Sequence, residues 1–155
     1  MIDFGTGTGT YAFALAKARP DLHVVALDEQ PEMLRLLRAK PELAATPNVE
    51  PAGSDMVPAF FGRADRVLAI NVLHELGDAA LFELRRLLKR DGVVAFIDWN
   101  AEADRPVGPP RDHTYSAAEA RARLAVAGLR ATRERLFPYH YALAAVSTPL
   151  FSTPL

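Results

Sequence analysis

Short, nearly unbroken apolar runs recur along the chain: Met1 to Phe4, His23 to Asp28, Arg66 to Asn71 and Val93 to Asp98. A strand covered on both faces needs such a run, because successive side chains point to opposite sides and both sides are dry. Between the runs, apolar residues fall three and four apart, the spacing of one helix face. Thr10 to Arg19 is one such stretch, stopped by Pro20. A second has Pro31 in its first turn, carries Met33, Leu34, Leu36 and Leu37 as one stripe, and ends near Pro41. A third runs from Asp78, as N-cap, to about Lys89. The fourth, Ser116 to Ala127, places Ser116 and Glu119 as a capping box, with Gly128 where a helix turns left-handed to end. Asn48 to Ala52 reads as a weak strand whose Pro51 suits a sheet edge. Leu129 to Phe137 and Tyr139 to Val146 read as two strands around Pro138, and the alternation of Leu129 and Ala131 with Arg130 and Thr132 fits a half-exposed antiparallel edge. Strands alternating with helices predict an α/β fold: a doubly wound, mostly parallel sheet between two helical layers.

The length, 155 residues, suits one domain with a full core. It is assigned to residues 1–146, leaving 147–155 as a loose tail in which Ser147-Thr148-Pro149-Leu150 recurs as Ser152-Thr153-Pro154-Leu155. A net charge of −1 removes any bulk electrostatic case for nucleic acid or an anionic membrane, so neither is expected as a partner. The arginines at 121, 123, 130, 133 and 135 are diluted by glutamates and read as a solvated face. Without cysteine, disulfides and thiol catalysis are excluded. No apolar run approaches the ~20 residues of a membrane span and no signal peptide precedes Asp3, so a cytoplasmic place is expected. No metal site is expected.

Chemistry concentrates where the first strand meets the first helix, at Asp3-Phe4-Gly5-Thr6-Gly7-Thr8-Gly9. Three glycines on alternate positions allow backbone to approach a ligand closely, and the helix behind them offers free N–H groups. A dinucleotide fingerprint would need glycine at Thr10; here the third glycine is Gly9. About 20 residues on, Asp28 ends the second strand, where an acid accepts hydrogen bonds from ribose hydroxyls.

The pattern D-x-G-x-G-x-G over Asp3 to Gly9 resembles the first motif of the class I S-adenosylmethionine-dependent methyltransferases. Asn71-Val72-Leu73-His74-Glu75-Leu76 looks like the fourth motif of their small-molecule branch, related to ubiquinone and menaquinone biosynthesis. The resemblance implies a Rossmann-like three-layer α/β/α fold with the last strand antiparallel beside the fifth. It implies S-adenosyl-L-methionine as cofactor, and in-line methyl transfer to a small-molecule acceptor. Asp3, Gly5, Thr6, Gly7 and Gly9 would form the cofactor loop, Asp28 and Glu29 the ribose side, and Asn71 a contact to the cofactor's amino acid end or to the substrate. An acid at Asp55 would accept from the adenine amino group with Met56 against the ring, although Asp55 equally suits a turn before Pro58. Met33 borders the adenosine or packs in the core.

His74 is the side chain placed to receive a proton from the acceptor, against the plainer reading of a packing or capping histidine. His113, in the Pro- and Gly-rich loop Asn100 to Asp112 and just beyond, is the second candidate on the substrate side. Asp98 and Trp99 line the substrate pocket, or Trp99 shields the core. Members of the family carry a helical segment ahead of the first strand; this sequence opens inside that strand. Either the recorded start is too late or the site is more open than in the family; reduced cofactor affinity and a homodimer are the expectations that follow. Two rivals stand beside this reading. A nicotinamide-dependent oxidoreductase would want Gly at Thr10 and a Tyr–Lys pair four residues apart, which no tyrosine here has. A non-catalytic relative would keep the fold for binding alone.

Overall fold

A computed structural model describes residues 1–148; the repeated motif of the tail lies largely outside them. Seven strands form one sheet: β1 (Ile2–Phe4), β2 (Val24–Asp28), β3 (Val49–Gly53), β4 (Ala64–Ile70), β5 (Leu88–Trp99), β6 (Leu129–Leu136) and β7 (His140–Ser147). Their order across the sheet is β3-β2-β1-β4-β5-β7-β6. The first five are parallel, and β7 inserts antiparallel between β5 and β6. The helices are α1 (Thr10–Ala18), α2 (Pro31–Arg38), α3 (Pro41–Ala45), α4 (Asp78–Leu87) and α5 (Ala117–Val126). This is the doubly wound, Rossmann-like α/β architecture, with β3 and its Pro51 on an edge as expected.

β2 shows why the apolar runs are unbroken. Val24 and Ala26 pack with Ala12, Phe13 and Leu37 of α1 and α2 on one face. Val25 and Leu27 join the larger cluster on the other face, which also holds Leu81, Leu84 and Leu87 of α4 and Leu124 of α5. All five β2 residues are buried, so neither face tolerates a polar residue until Asp28 at the strand's end. Among the described residues, no helix is long and apolar enough to cross a membrane.

Two local readings change, and one loop gains its supports. The N-cap of α4 is Gly77, not Asp78, whose carboxylate instead meets Arg123 Nη2 at 2.9 Å. β5 begins at Leu88 rather than at Val93, and Lys89 to Gly92 lie inside it. They are an outward bulge inside β5, since Leu88 pairs with Ala64 and Val93 with Arg66. Gly92 is required there because a Cβ would meet the Ala64 carbonyl at 2.7 Å. Finally, the long loop after β5 is tied down. Asn100 bridges Tyr115, the Arg105 guanidinium lies 5.1 Å over Trp99, and Arg105 donates to the Val107 carbonyl and the Thr114 hydroxyl. The capping box of α5 forms as its residues predict: Ser116 Oγ accepts from Glu119 N–H, and Glu119 accepts from Ser116 N–H.

Candidate functional site

Parallel pairing brings the carboxyl ends of β1, β2, β4 and β5 to one edge of the sheet. β1 lies between β2 and β4, so the chain runs outward on one side, then crosses back to continue on the other. At such a switch point the loops diverge and leave a crevice. Here it is a cavity of about 310 Å³ walled by Gly5 and Gly7 on one side and Asp28, Met33, Val57 and Asn71 on others.

The glycine loop is built from beneath. Asp3 is buried and accepts a 2.6 Å hydrogen bond from the Thr6 hydroxyl. Burial raises its pKa above 3.8, more than the Thr6 hydrogen bond lowers it. The N–H groups of Gly5 and Thr6 both reach the Leu27 carbonyl, and Lys40 Nζ donates to the Thr8 carbonyl at 2.7 Å. Two glycines meet different demands. A Cβ on Gly9 would fall 2.9 Å from Phe13 and 3.0 Å from Leu37, so this glycine admits α1 and α2 to close packing. Gly7, at φ +56°, has no atom within 4 Å of where its Cβ would be; the open space there belongs to the cavity.

Asp28 closes the cradle. Its carboxylate accepts from Gly7 N–H at 2.7 Å and Gln30 N–H at 2.9 Å, so one side chain fixes the loop and the start of α2 together. Each oxygen keeps a further lone pair for a ligand hydroxyl. Asn71 has φ +54° at the end of β4, and its N–H bonds the Ile97 carbonyl at 2.8 Å. Asparagine tolerates this left-handed backbone better than most residues.

The expected site residues separate into four groups. Gly5, Gly7, Asp28, Glu29 and Asn71 wall the cavity, while Asp3, Thr6 and Gly9 support it from below. Asp55 and Met56 stand apart from the wall: both are exposed on the 3-10 turn Ser54–Phe60, Met56 by 42%. That turn presents Ser54 and Val57 to the cavity instead, since Val57 is the position that points back to the core. His74 and His113 share a second recess of about 370 Å³ next to the first, with Glu75 lining both.

The pairing of His74 with Asp98 is not legible along the chain. Asp98 is fully buried at the end of β5, and its Oδ1 lies 2.8 Å from His74 Nδ1. It also accepts from the backbone N–H groups of His74 at 3.0 Å and Trp99 at 2.7 Å. Only the β4–β5 register, with Ile70 opposite Ile97, places Asp98 beside the loop that follows Asn71. The signal available beforehand was an acid ending an otherwise apolar strand.

The residues fit S-adenosylmethionine. Among the described residues, the first cavity has four carboxylates on its wall, from Asp28, Glu29, Glu75 and Glu83, and no Lys, Arg or His. A sulfonium and an ammonium suit that lining, and a dinucleotide's pyrophosphate does not.

Comparison with known proteins agrees. A methyltransferase domain family model matches residues 2–94. The release factor glutamine methyltransferase of Escherichia coli (strain K12) is 34% identical over 105 residues, covering 63% of this chain. The chain spans only 38% of that relative's length. A SAM-dependent methyltransferase structure from Aquifex aeolicus is 32% identical, with a TM-score of 0.83 over 93% of this chain and 79% of the other. The 16S rRNA (adenine(1408)-N(1))-methyltransferase from Catenulisporales acidiphilia is 25% identical, with a TM-score of 0.74 over 96% of this chain and 84% of the other.

Two partner expectations are corrected by these relatives. One is named for a glutamine of a release factor, a protein, and another for ribosomal RNA. A small-molecule acceptor and the exclusion of nucleic acid therefore do not hold. A net charge of −1 averages the whole surface and says nothing of a local acceptor face. Nor do the matches single out the ubiquinone and menaquinone branch. They agree on the cofactor, S-adenosylmethionine, and on the chemistry class, and the chain belongs to the methyltransferase domain family.

Proposed function

We propose that the chain holds S-adenosylmethionine in the cavity at the switch point and methylates an acceptor that enters from the His74 side. The observation that carries this is the lining charge: among the described residues, four carboxylates and no cationic side chain. At ~6 Å and an effective dielectric of ~20–50, each favourable pair contributes about 1–3 kcal/mol, and each repulsion costs as much. That difference selects a net cationic ligand over a pyrophosphate.

When bound, S-adenosylmethionine supplies an electrophilic methyl group on a good leaving group. The chain's own part is alignment, exclusion of water and movement of a proton. Gly7 leaves room for the ligand, Asp28 takes the ribose hydroxyls on its spare lone pairs, and Val57, in place of Met56, supplies the apolar surface near the adenine. Asn71 offers its side-chain amide to the amino acid end. His74 stands as the base. A carboxylate partner accepts, so with Asp98 at Nδ1 the ring carries its proton there and presents a lone pair at Nε2.

The test is calorimetric titration with S-adenosylhomocysteine and, separately, NAD. Saturable binding of the first, weakened about 10- to 100-fold by Asp28→Ala, is expected for the loss of hydrogen bonds worth about 1.5–3 kcal/mol. Preference for NAD would refute the assignment.

A further inference from the structure

The second recess has chemistry that the cofactor reading leaves unused. Its walls are His74, Glu75, Pro109, Asp112, His113 and Tyr115. His74, its side chain only 8% exposed, lines this recess; its Nδ1 is held by Asp98, and among the described residues its Nε2 makes no hydrogen bond. The nearest charged atom is Glu75 Oε1, 3.7 Å away, too far for a hydrogen bond. The neighbouring arginines are engaged elsewhere. Arg123 is spent on the Tyr115 hydroxyl, the Leu76 carbonyl and Asp78, and Arg111 is paired with Asp104 at 2.6 Å. Two carboxylates, Glu75 and Asp112, thus border the His74 imidazole, with no lysine or arginine among the described residues of the wall.

We propose that this recess takes an alkylammonium group as the methyl acceptor, anchored by Glu75 and Asp112 and deprotonated by His74. This rests on the cofactor assignment above and adds the acceptor's chemical class to it. The charges decide between nucleophiles. A carboxylate or phosphate acceptor would be repelled by both side chains. An alcohol would have to develop negative charge between them. An alkylamine arrives as a cation, because its ordinary pKa is about 10.4, and is attracted. In that form it has no lone pair, so a base is obligatory. One N–H bond breaks, its electron pair stays on nitrogen, and the proton joins His74 Nε2; that pair would then form the N–C bond as the methyl group's bond to the cofactor sulfur breaks, with the S–C pair staying on sulfur in S-adenosylhomocysteine. The acceptor's positive charge moves onto the imidazole, and no anion forms. Pro109 and the Tyr115 ring flank the place where an alkyl stem would lie.

Two probes present the same group from different sources: acetyl-lysine amide, for a protein side chain, and n-butylamine, for a free amine. Each is titrated calorimetrically into the chain saturated with S-adenosylhomocysteine, beside acetyl-norleucine amide and butanoate. Saturable binding of at least one amine is expected, with both controls at least about tenfold weaker. Glu75→Gln and Asp112→Asn should each weaken the amine roughly threefold, and together about tenfold, as partly exposed ion pairs do. If only acetyl-lysine amide binds, the source is a protein chain; if n-butylamine binds equally, the ammonium alone suffices. Butanoate binding as well as the amines, no binding of either amine, or a double variant with unchanged amine affinity would each overturn the proposal. S-adenosylhomocysteine binding by the same samples reads the cofactor assignment separately, so the two failures are distinct.

Discussion

Gly7→Ala adds one methyl group at a left-handed position where no protein atom lies within 4 Å. In the free protein the cost is backbone strain alone, about 1–2 kcal/mol for an L-residue at such a φ. At roughly 2–4 °C per kcal/mol for a domain of this size, the melting temperature should fall by about 2–8 °C. In the liganded protein the same methyl group stands in the cradle, where overpacking costs about 1–3 kcal/mol, or about 5- to 150-fold in affinity. Gly62→Ala supplies the control. It has φ +69° and likewise no atom within 4 Å, but it lines neither cavity. Both variants should lose similar stability by thermal unfolding, and only Gly7→Ala should lose S-adenosylhomocysteine affinity by calorimetry. Equal affinities in the two variants, within twofold, would mean that the cofactor does not use the Gly7 side of the cavity.

Further outcomes follow from buried hydrogen bonds and shifted titrations. Asp98→Ala strips acceptors from two backbone N–H groups and from His74, so urea unfolding should show a loss of about 2–4 kcal/mol; under 1 kcal/mol would contradict the described bonding. Ser116→Ala removes one half of the α5 capping box and should cost about 1 kcal/mol in the same assay. His140, stacked 4.0 Å from Trp99, has its pKa lowered below 6.5 by burial, which outweighs the attraction of Asp98. Its neutral form is favoured in the fold, so its contribution to stability is complete above pH 6.5 and is lost as pH falls through the lowered value. Melting temperatures from pH 8 to 5 should show that decline, and His140→Gln should flatten it.

Much of this molecule is decided locally and can be read along the chain. The run Val24 to Leu27 permits only a strand covered on both faces, because no residue in it could face water without cost. Ser116 and Glu119 satisfy each other's neighbours within one helical turn, so α5 announces its own start. Gly5, Gly7 and Gly9 mark a backbone that a ligand or another helix must approach, and their spacing departs from the dinucleotide fingerprint at Thr10.

What tertiary structure alone decides are contacts between residues far apart in sequence, where no local pattern carries register. Asp98 meets His74 across 24 positions because β5 lies beside β4 in one particular alignment. Whether Met56 or Val57 faces the cavity depends on how the 3-10 turn rotates, and adjacent positions in such a turn point in different directions. The charge of each cavity is likewise a sum over loops that converge only on folding. Asp28 ends β2, while Glu75 and Glu83 follow β4 in its loop and on α4; they face one space because both strands end at the same edge of the sheet.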